Sequence, residues 1–316
     1  MNRKDRRAAR KQNKAGAARP RQEGLAPGAL SRNLFADAVQ NYRAGKLDDA
    51  ERLCRDALTF DRNHSEALHL LGMLAAHAGN FEGAAEILGQ SLAINDSNAE
   101  CHFYRGDILR RLGQNLAAAE HLARSIALKP GFVEAHVALG DLFTMNVDIE
   151  QARACYERAL ALDPERIDAH YGLANATLLE GRMDAAADLY RLVIARNPFA
   201  EAYCKLGIAL ASQEKWQEAT QQYRQALALK PDFRDAYRFL GYALLMLGEA
   251  VEAVATVRQA LAIGETTEAR ALFVQCALAL PAIPPSDGDL RVLAARAVSE
   301  RWSSAEDLTT LAARIQ

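Results

Sequence analysis

The chain has 316 residues, half of them apolar and a quarter charged, with a formal net charge of -2. This is ordinary for a soluble protein and ample for a core; no run of 18 apolar residues and no apolar leader stretch is present, which predicts a cytoplasmic protein without a membrane span. Five dispersed cysteines, Cys54, Cys101, Cys155, Cys204 and Cys276, include no C-x-x-C pair and point to reduced, mostly structural thiols rather than disulfides or a zinc site.

The chain opens with a basic stretch. Residues 1 to 30 carry nine Arg or Lys against Asp5 and Glu23, hence +7, which leaves -9 on the remainder. Rich in Gly, Ala and Pro and with almost nothing to bury, residues 1–30 read as a disordered basic arm. Its charge serves solubility or the binding of an acidic partner, with RNA as one example.

Beyond the arm the sequence repeats itself. Pro130, Pro164 and Pro198 are spaced by 34 residues and Pro231 follows after 33; Ala50, Ala84, Ala118, Ala152, Ala186, Ala219 and Ala253 keep the same register. A third marker runs Gly72, Gly106, Gly140, Ala174, Gly207, Gly241. Within one period, Leu68, Leu71, Leu74, Ala75 and Ala78 form one helical stripe, and Phe81, Ala84, Ala85, Leu88 and Leu92 another. Gly79 sits between them, and Gly45, Gly113, Gly181 and Gly248 hold the equivalent slot, where glycine frees the chain to reverse. Val147 and Glu214 occupy that slot in two repeats, which predicts turns built differently there. Proline after the second helix stops it, and the small residues at Ala84 and its equivalents let paired helices approach closely.

Repeats begin near Ser31, Ser65, Ala99, Val133, Ile167, Ala200 and Arg234. The first is the weakest, with Arg62 in place of proline and Ala38 in place of glycine, as a terminal repeat allows. Residues 267–280 read as a capping first helix without a partner, and the Pro-rich residues 281–289 as a linker. Residues 290–316 read as a C-terminal segment of two helices broken at Trp302, the second opened by a Ser303/Glu306 capping box.

The 34-residue period with its L-G, A and P markers resembles the tetratricopeptide repeat (TPR) of bacterial proteins, over residues 31 to about 267. The resemblance implies an all-α fold, a right-handed α-solenoid of about seven helix-turn-helix repeats with a C-terminal capping helix. It further implies a groove along the first helices that takes a protein or peptide ligand, lined by slots two, five, nine, twelve and thirteen of each repeat. The candidate groove residues are Phe103, Asp107, Arg110, Arg111, Asp141, Tyr171, Asn175, Arg238 and Tyr242. The second-slot acids Glu66, Glu100, Glu134, Asp168, Glu201 and Asp235 are explained by the helix dipole. Asp107, Asp141 and Asn175 lie mid-helix, where such residues are poor helix formers, and suggest a polar ladder for an extended peptide backbone. Relatives that clamp a chaperone's acidic tail use Lys and Asn where the opening repeat here has Phe35 and Val39, so that activity is not expected.

His102, His136 and His170 share the fourth slot of three repeats. Stacked helices lie ~8 to 10 Å apart, too far for equivalent atoms to share a zinc ion at ~2 Å, so they read as packing residues. No metalloprotease, P-loop, dinucleotide or nucleophile-elbow motif occurs. The expected function is a non-catalytic protein-protein interaction scaffold without cofactor or metal. The alternative is the substrate-recognition arm of a methyltransferase or glycosyltransferase, truncated or acting in trans, suggested by Trp302, the serines that follow and the D-L pair.

Overall fold

A computed structural model of the chain describes residues 26–315; the arm expected over residues 1–30 lies outside them as far as residue 25. The described residues form helices and no strand. The first pair is α1 (Pro27–Arg43) and α2 (Leu47–Phe60). The second and third pairs are α3 (Ser65–His77) with α4 (Phe81–Ile94) and α5 (Ala99–Arg111) with α6 (Asn115–Leu128). Next come α7 (Val133–Met145) with α8 (Ile149–Leu162) and α9 (Ile167–Leu179) with α10 (Met183–Arg196). The last two pairs are α11 (Ala200–Ala211) with α12 (Trp216–Leu229) and α13 (Arg234–Met246) with α14 (Ala250–Ile263). Three helices close the chain: α15 (Thr267–Ala279), α16 (Gly288–Ser299) and α17 (Ala305–Ile315). The fold is an all-α solenoid of helix-turn-helix repeats. It divides into two compact units, one ending at Ala135 and one starting at His136.

The first helix begins inside the stretch read as the arm. Helix α1 starts at Pro27, because proline's fixed φ suits a first helical turn whose N–H has no partner; Pro27 to Leu30 therefore belong to the first helix pair.

The sequence markers have distinct packing roles. Ala50, Ala84, Ala118, Ala152, Ala186, Ala219 and Ala253 are all fully buried, so nothing larger fits between the paired helices. The repeated glycine is seated against a large residue sixteen positions later on the second helix. A Cβ at Gly72 would lie 2.7 Å from Leu88, at Gly106 2.8 Å from Leu122, and at Gly140 2.7 Å from Tyr156. Tyr156 is pinned from a second side by Gly172 of the following repeat, where a Cβ would come within 2.3 Å of its ring.

The turns at Val147 and Glu214 correct the sequence expectation. They are built like the others: Val147 has φ 61° and Glu214 φ 59°, beside 73° to 82° for the five turn glycines. The paired helices dictate one turn geometry, and these two side chains are held in the left-handed region, least comfortable for a β-branched valine.

The C-terminal segment is also not set apart by a linker. Leu280 and Ile283 are buried, and Leu290, Ala294, Ala297, Trp302, Leu308 and Leu311 share one core with α13, α14 and α15. Trp302 packs edge-on to Phe273 at 5.9 Å, with the guanidinium groups of Arg270 and Arg296 5.1 and 5.2 Å from its ring. Glu265 joins those arginines, with Arg296 at 2.6 Å. The helix cap falls one residue later than expected: Ser304 Oγ accepts from the Asp307 N–H at 3.2 Å, and Ser303 donates to the Asp307 carboxylate at 2.6 Å.

Candidate functional site

Within each unit the first helices of successive repeats lie against one another: α3 on α5 in the N-terminal unit, and α9, α11, α13 and α15 in succession in the C-terminal unit. Each buries one stripe and leaves another open. On α13 the buried side comprises Ala236, Leu240, Gly241, Ala243 and Leu244, while Tyr242 and Met246 stay 44% and 48% exposed, with Arg238 half-buried beside them. The 3.6-residue period puts slots five, nine and thirteen on that one open face.

In the N-terminal unit the face holds a recess of about 490 Å³, lined by Tyr42, Met73, Phe81, Tyr104, Asp107 and Arg111 among others. Asp107 is not a free acceptor. Its oxygens take Arg110 at 2.6 Å and Arg111 at 3.0 Å, and the Arg111 guanidinium also lies 5.7 Å from the centre of the Phe81 ring. The three expected residues Asp107, Arg110 and Arg111 are thus brought together as one ion-pair cluster. Phe103, the fourth, packs on Phe132 at 5.0 Å and on Tyr104 at 5.3 Å and does not line this recess.

In the C-terminal unit the expected ladder residues are tied from below. The hydroxyl of Tyr156 donates to Asp141 at 2.8 Å, and that of Tyr190 donates to Asn175 at 2.7 Å. Burial and then the Asp141 carboxylate hold the Tyr156 phenol far above its usual range. A mid-helix Asp or Asn therefore has a role inside the repeat itself, as acceptor for a tyrosine of the second helix. Tyr171 packs edge-on to Phe199 at 5.2 Å; both line a recess of about 460 Å³ by the inter-repeat loops, together with Asp163, Arg166 and Asp168. Arg238 and Tyr242 line a third recess, of about 360 Å³, with Glu268 and Gln275.

The nine expected residues thus fall into separate clusters. Tyr42, in the twelfth slot of the opening repeat, and Gln275, in the ninth slot of the capping helix, fit the slot pattern but were not among the nine; Phe81, on a second helix, and Tyr104, in a sixth slot, fall outside it, and all four line recesses. For Tyr42, Phe81 and Tyr104 the sequence signal was aromatic character at half-buried positions, which core packing also produces.

Second-slot acids are paired at the face's edge. Glu201 receives Lys230 at 3.0 Å, and Glu100 lies 3.8 Å from Lys129. The Lys230 hydrogen bond, followed by the residue's own backbone N–H, holds Glu201 below the usual carboxylate range. The same lysines sit over Phe132 at 4.5 Å and Phe233 at 5.0 Å. The recurring K-P-x-F phrase is therefore a clip, in which one ammonium meets a carboxylate and a ring.

Among the described residues no group of three or more His, Cys, Asp or Glu is placed to hold a metal ion. His102 Nδ1 faces Nδ1 of His121 at 2.8 Å, and its Nε2 lies 3.2 Å from Asp96 Oδ1. Burial, then Arg105 and His102, lower the His121 pKa to about 4. No cysteine is paired; burial pushes Cys54, Cys204 and Cys276 up to about 12, which leaves them unreactive. No helix among the described residues is long and apolar enough to cross a membrane.

Two family models, each described as tetratricopeptide repeat, match the chain, one at residues 146–201 and 204–268 and the other at 42–102, together more than half of it. Similar solved structures include a tetratricopeptide repeat protein from Parabacteroides merdae, 17% identical, with a TM-score of 0.60 over 79% of this chain and 99% of that one. Another is PilF of Pseudomonas aeruginosa, 18% identical, with a TM-score of 0.57 over 66% of this chain and 95% of that one. At these identities the likeness is one of fold. No protein of curated function matches in sequence.

Proposed function

The chain belongs to the tetratricopeptide repeat family, and from that premise we propose that it is a non-catalytic scaffold whose first-helix faces bind an extended peptide or a segment of a partner protein. One observation carries the reading: the same slots stay open on successive first helices, and recesses of 360 to 490 Å³ with mixed aromatic and charged linings form there. The polar groups beneath are already satisfied, Asp107 by two arginines and Asn175 by Tyr190. Such a surface is pre-organised and loses little freedom on binding. Unpaired cysteines suit the reducing cytoplasm, which is the location we propose.

The test is site-specific photocrosslinking in native lysate. A crosslinker at Leu179 or Met246, both exposed on first helices, should trap a partner, whereas one at Leu116 or Val292, exposed elsewhere, should not. Equal trapping at all four would overturn the reading. The transferase-arm alternative gains no specific support, because Trp302 and its neighbours are accounted for by packing against α15.

A further inference from the structure

We propose that the recess between α13 and α15 binds a single carboxylate side chain, Asp or Glu, set next to a bulky apolar residue of a peptide. This rests on the face-binding reading above and specifies its ligand chemistry. The Arg238 guanidinium lies 4.3 Å from the centre of the Phe239 ring, and that ring is stacked on the buried Tyr223 at 5.9 Å and 19°. Stacking fixes a guanidinium without consuming its N–H donors. Among the described residues Arg238 makes no hydrogen bond or ion pair. The arginines of the other two recesses are engaged: Arg111, with Arg110 beside it, on Asp107, and Arg166 on Asp168. Arg238 thus presents an ordered fork whose N–H donors have no hydrogen-bonded partner, suited to a carboxylate.

The surroundings restrict what that carboxylate belongs to. Tyr242, 44% exposed and edge-on to Trp216 at 5.9 Å, gives the recess an apolar wall, and Met246 extends it one turn along α13. At about 360 Å³ the recess suits one or two side chains rather than a folded element. Across it, Gln275 offers an amide and Glu268 a carboxylate. Glu268 is held below the usual carboxylate range by its own backbone N–H and Thr266 at the start of α15, with the charges of Arg238 and Arg234 adding to this without a hydrogen bond. It repels a second acid and accepts a peptide N–H. The geometry therefore favours one acid beside an apolar residue over an acidic run.

The experiment uses the full chain and three pools of peptides of about twelve residues, acetylated and amidated so that no terminal charge contributes. Their central pair is Glu-Leu, Gln-Leu or Glu-Glu, and the other positions are randomised over small and apolar residues. Immobilised wild-type protein should retain the Glu-Leu pool about tenfold over the Gln-Leu pool, as a charge-assisted pair implies. Arg238→Gln, with an unchanged helical circular-dichroism signal, should abolish that preference. The Glu-Glu pool should be retained less than Glu-Leu and should gain in Glu268→Gln. Equal retention of Glu-Leu and Gln-Leu, or a preference that survives Arg238→Gln, overturns this proposal alone. Retention of no pool overturns the face-binding reading with it.

Discussion

Tyr156 donates its hydroxyl hydrogen to Oδ1 of Asp141 at 2.8 Å, bridging the second helix of a repeat to the ninth slot of its first. The ring is wedged against Gly140 and Gly172, and Thr144 Oγ1 lies 3.2 Å from the phenol. Tyr156→Phe should keep the wedge and lose the bond, at a cost of about 1 kcal/mol. Asp141→Asn should be nearly neutral, because Asn175 accepts from Tyr190 in the same way at 2.7 Å. Chemical denaturation of both variants checks this, and a large loss in Asp141→Asn would show that the negative charge, not the acceptor, matters.

Val147→Gly should stabilise the protein. A valine at φ 61° is strained by about 1 to 2 kcal/mol, which exceeds the ~0.5 to 1 kcal/mol entropic cost of glycine. Glu214→Gly should gain less, since glutamate is not β-branched. The midpoint of urea unfolding should rise in both, and a fall in Val147→Gly contradicts the turn geometry.

Ala152 is fully buried between α7 and α8. Ala152→Leu should overpack that pair and cost ~1 to 3 kcal/mol. Because solenoid repeats contact only neighbours, unfolding should shift lower or split into two transitions, readable by calorimetry.

Acid should weaken the N-terminal unit through His121. Its pKa is lowered to about 4 in the folded chain by burial, then by Arg105 and His102, against about 6.5 when unfolded. Between those values the unfolded state binds more protons, so stability present above pH ~6.5 is lost as pH falls toward ~4. Two imidazole nitrogens 2.8 Å apart share one proton readily and cannot both carry one. His121→Leu should flatten the melting temperature against pH across that window, whatever its effect at neutral pH.

Trp302 is 6% exposed and packs against Phe273 with the Arg270 and Arg296 guanidinium groups over its ring. Trp302→Ala should cost about 3 to 5 kcal/mol and raise hydrogen exchange in α15 as well as α16 and α17. Protection in α15 that stays at its wild-type level would return residues 288–315 to the status of an appended segment.

The sequence by itself determined the repeat. Helix formation, helix length and the buried stripe follow from contacts three and four residues apart, so the first helices start at Ser65, Ala99, Val133, Ile167, Ala200 and Arg234, as the period predicts. Three things needed the tertiary structure. The turn at Val147 copies the glycine turns because helix pairing imposes its geometry over the residue's own preference. Asp141 and Asn175 find partners fifteen residues away, a spacing set by how two helices face each other rather than by either helix alone. Residues 281–315 look like a linker and an appendage because their proline and glycine content reports local backbone limits. Leu280, Ile283 and Trp302 nevertheless bury against α13 to α15, because an open end of the repeat stack exposes apolar surface that this segment covers.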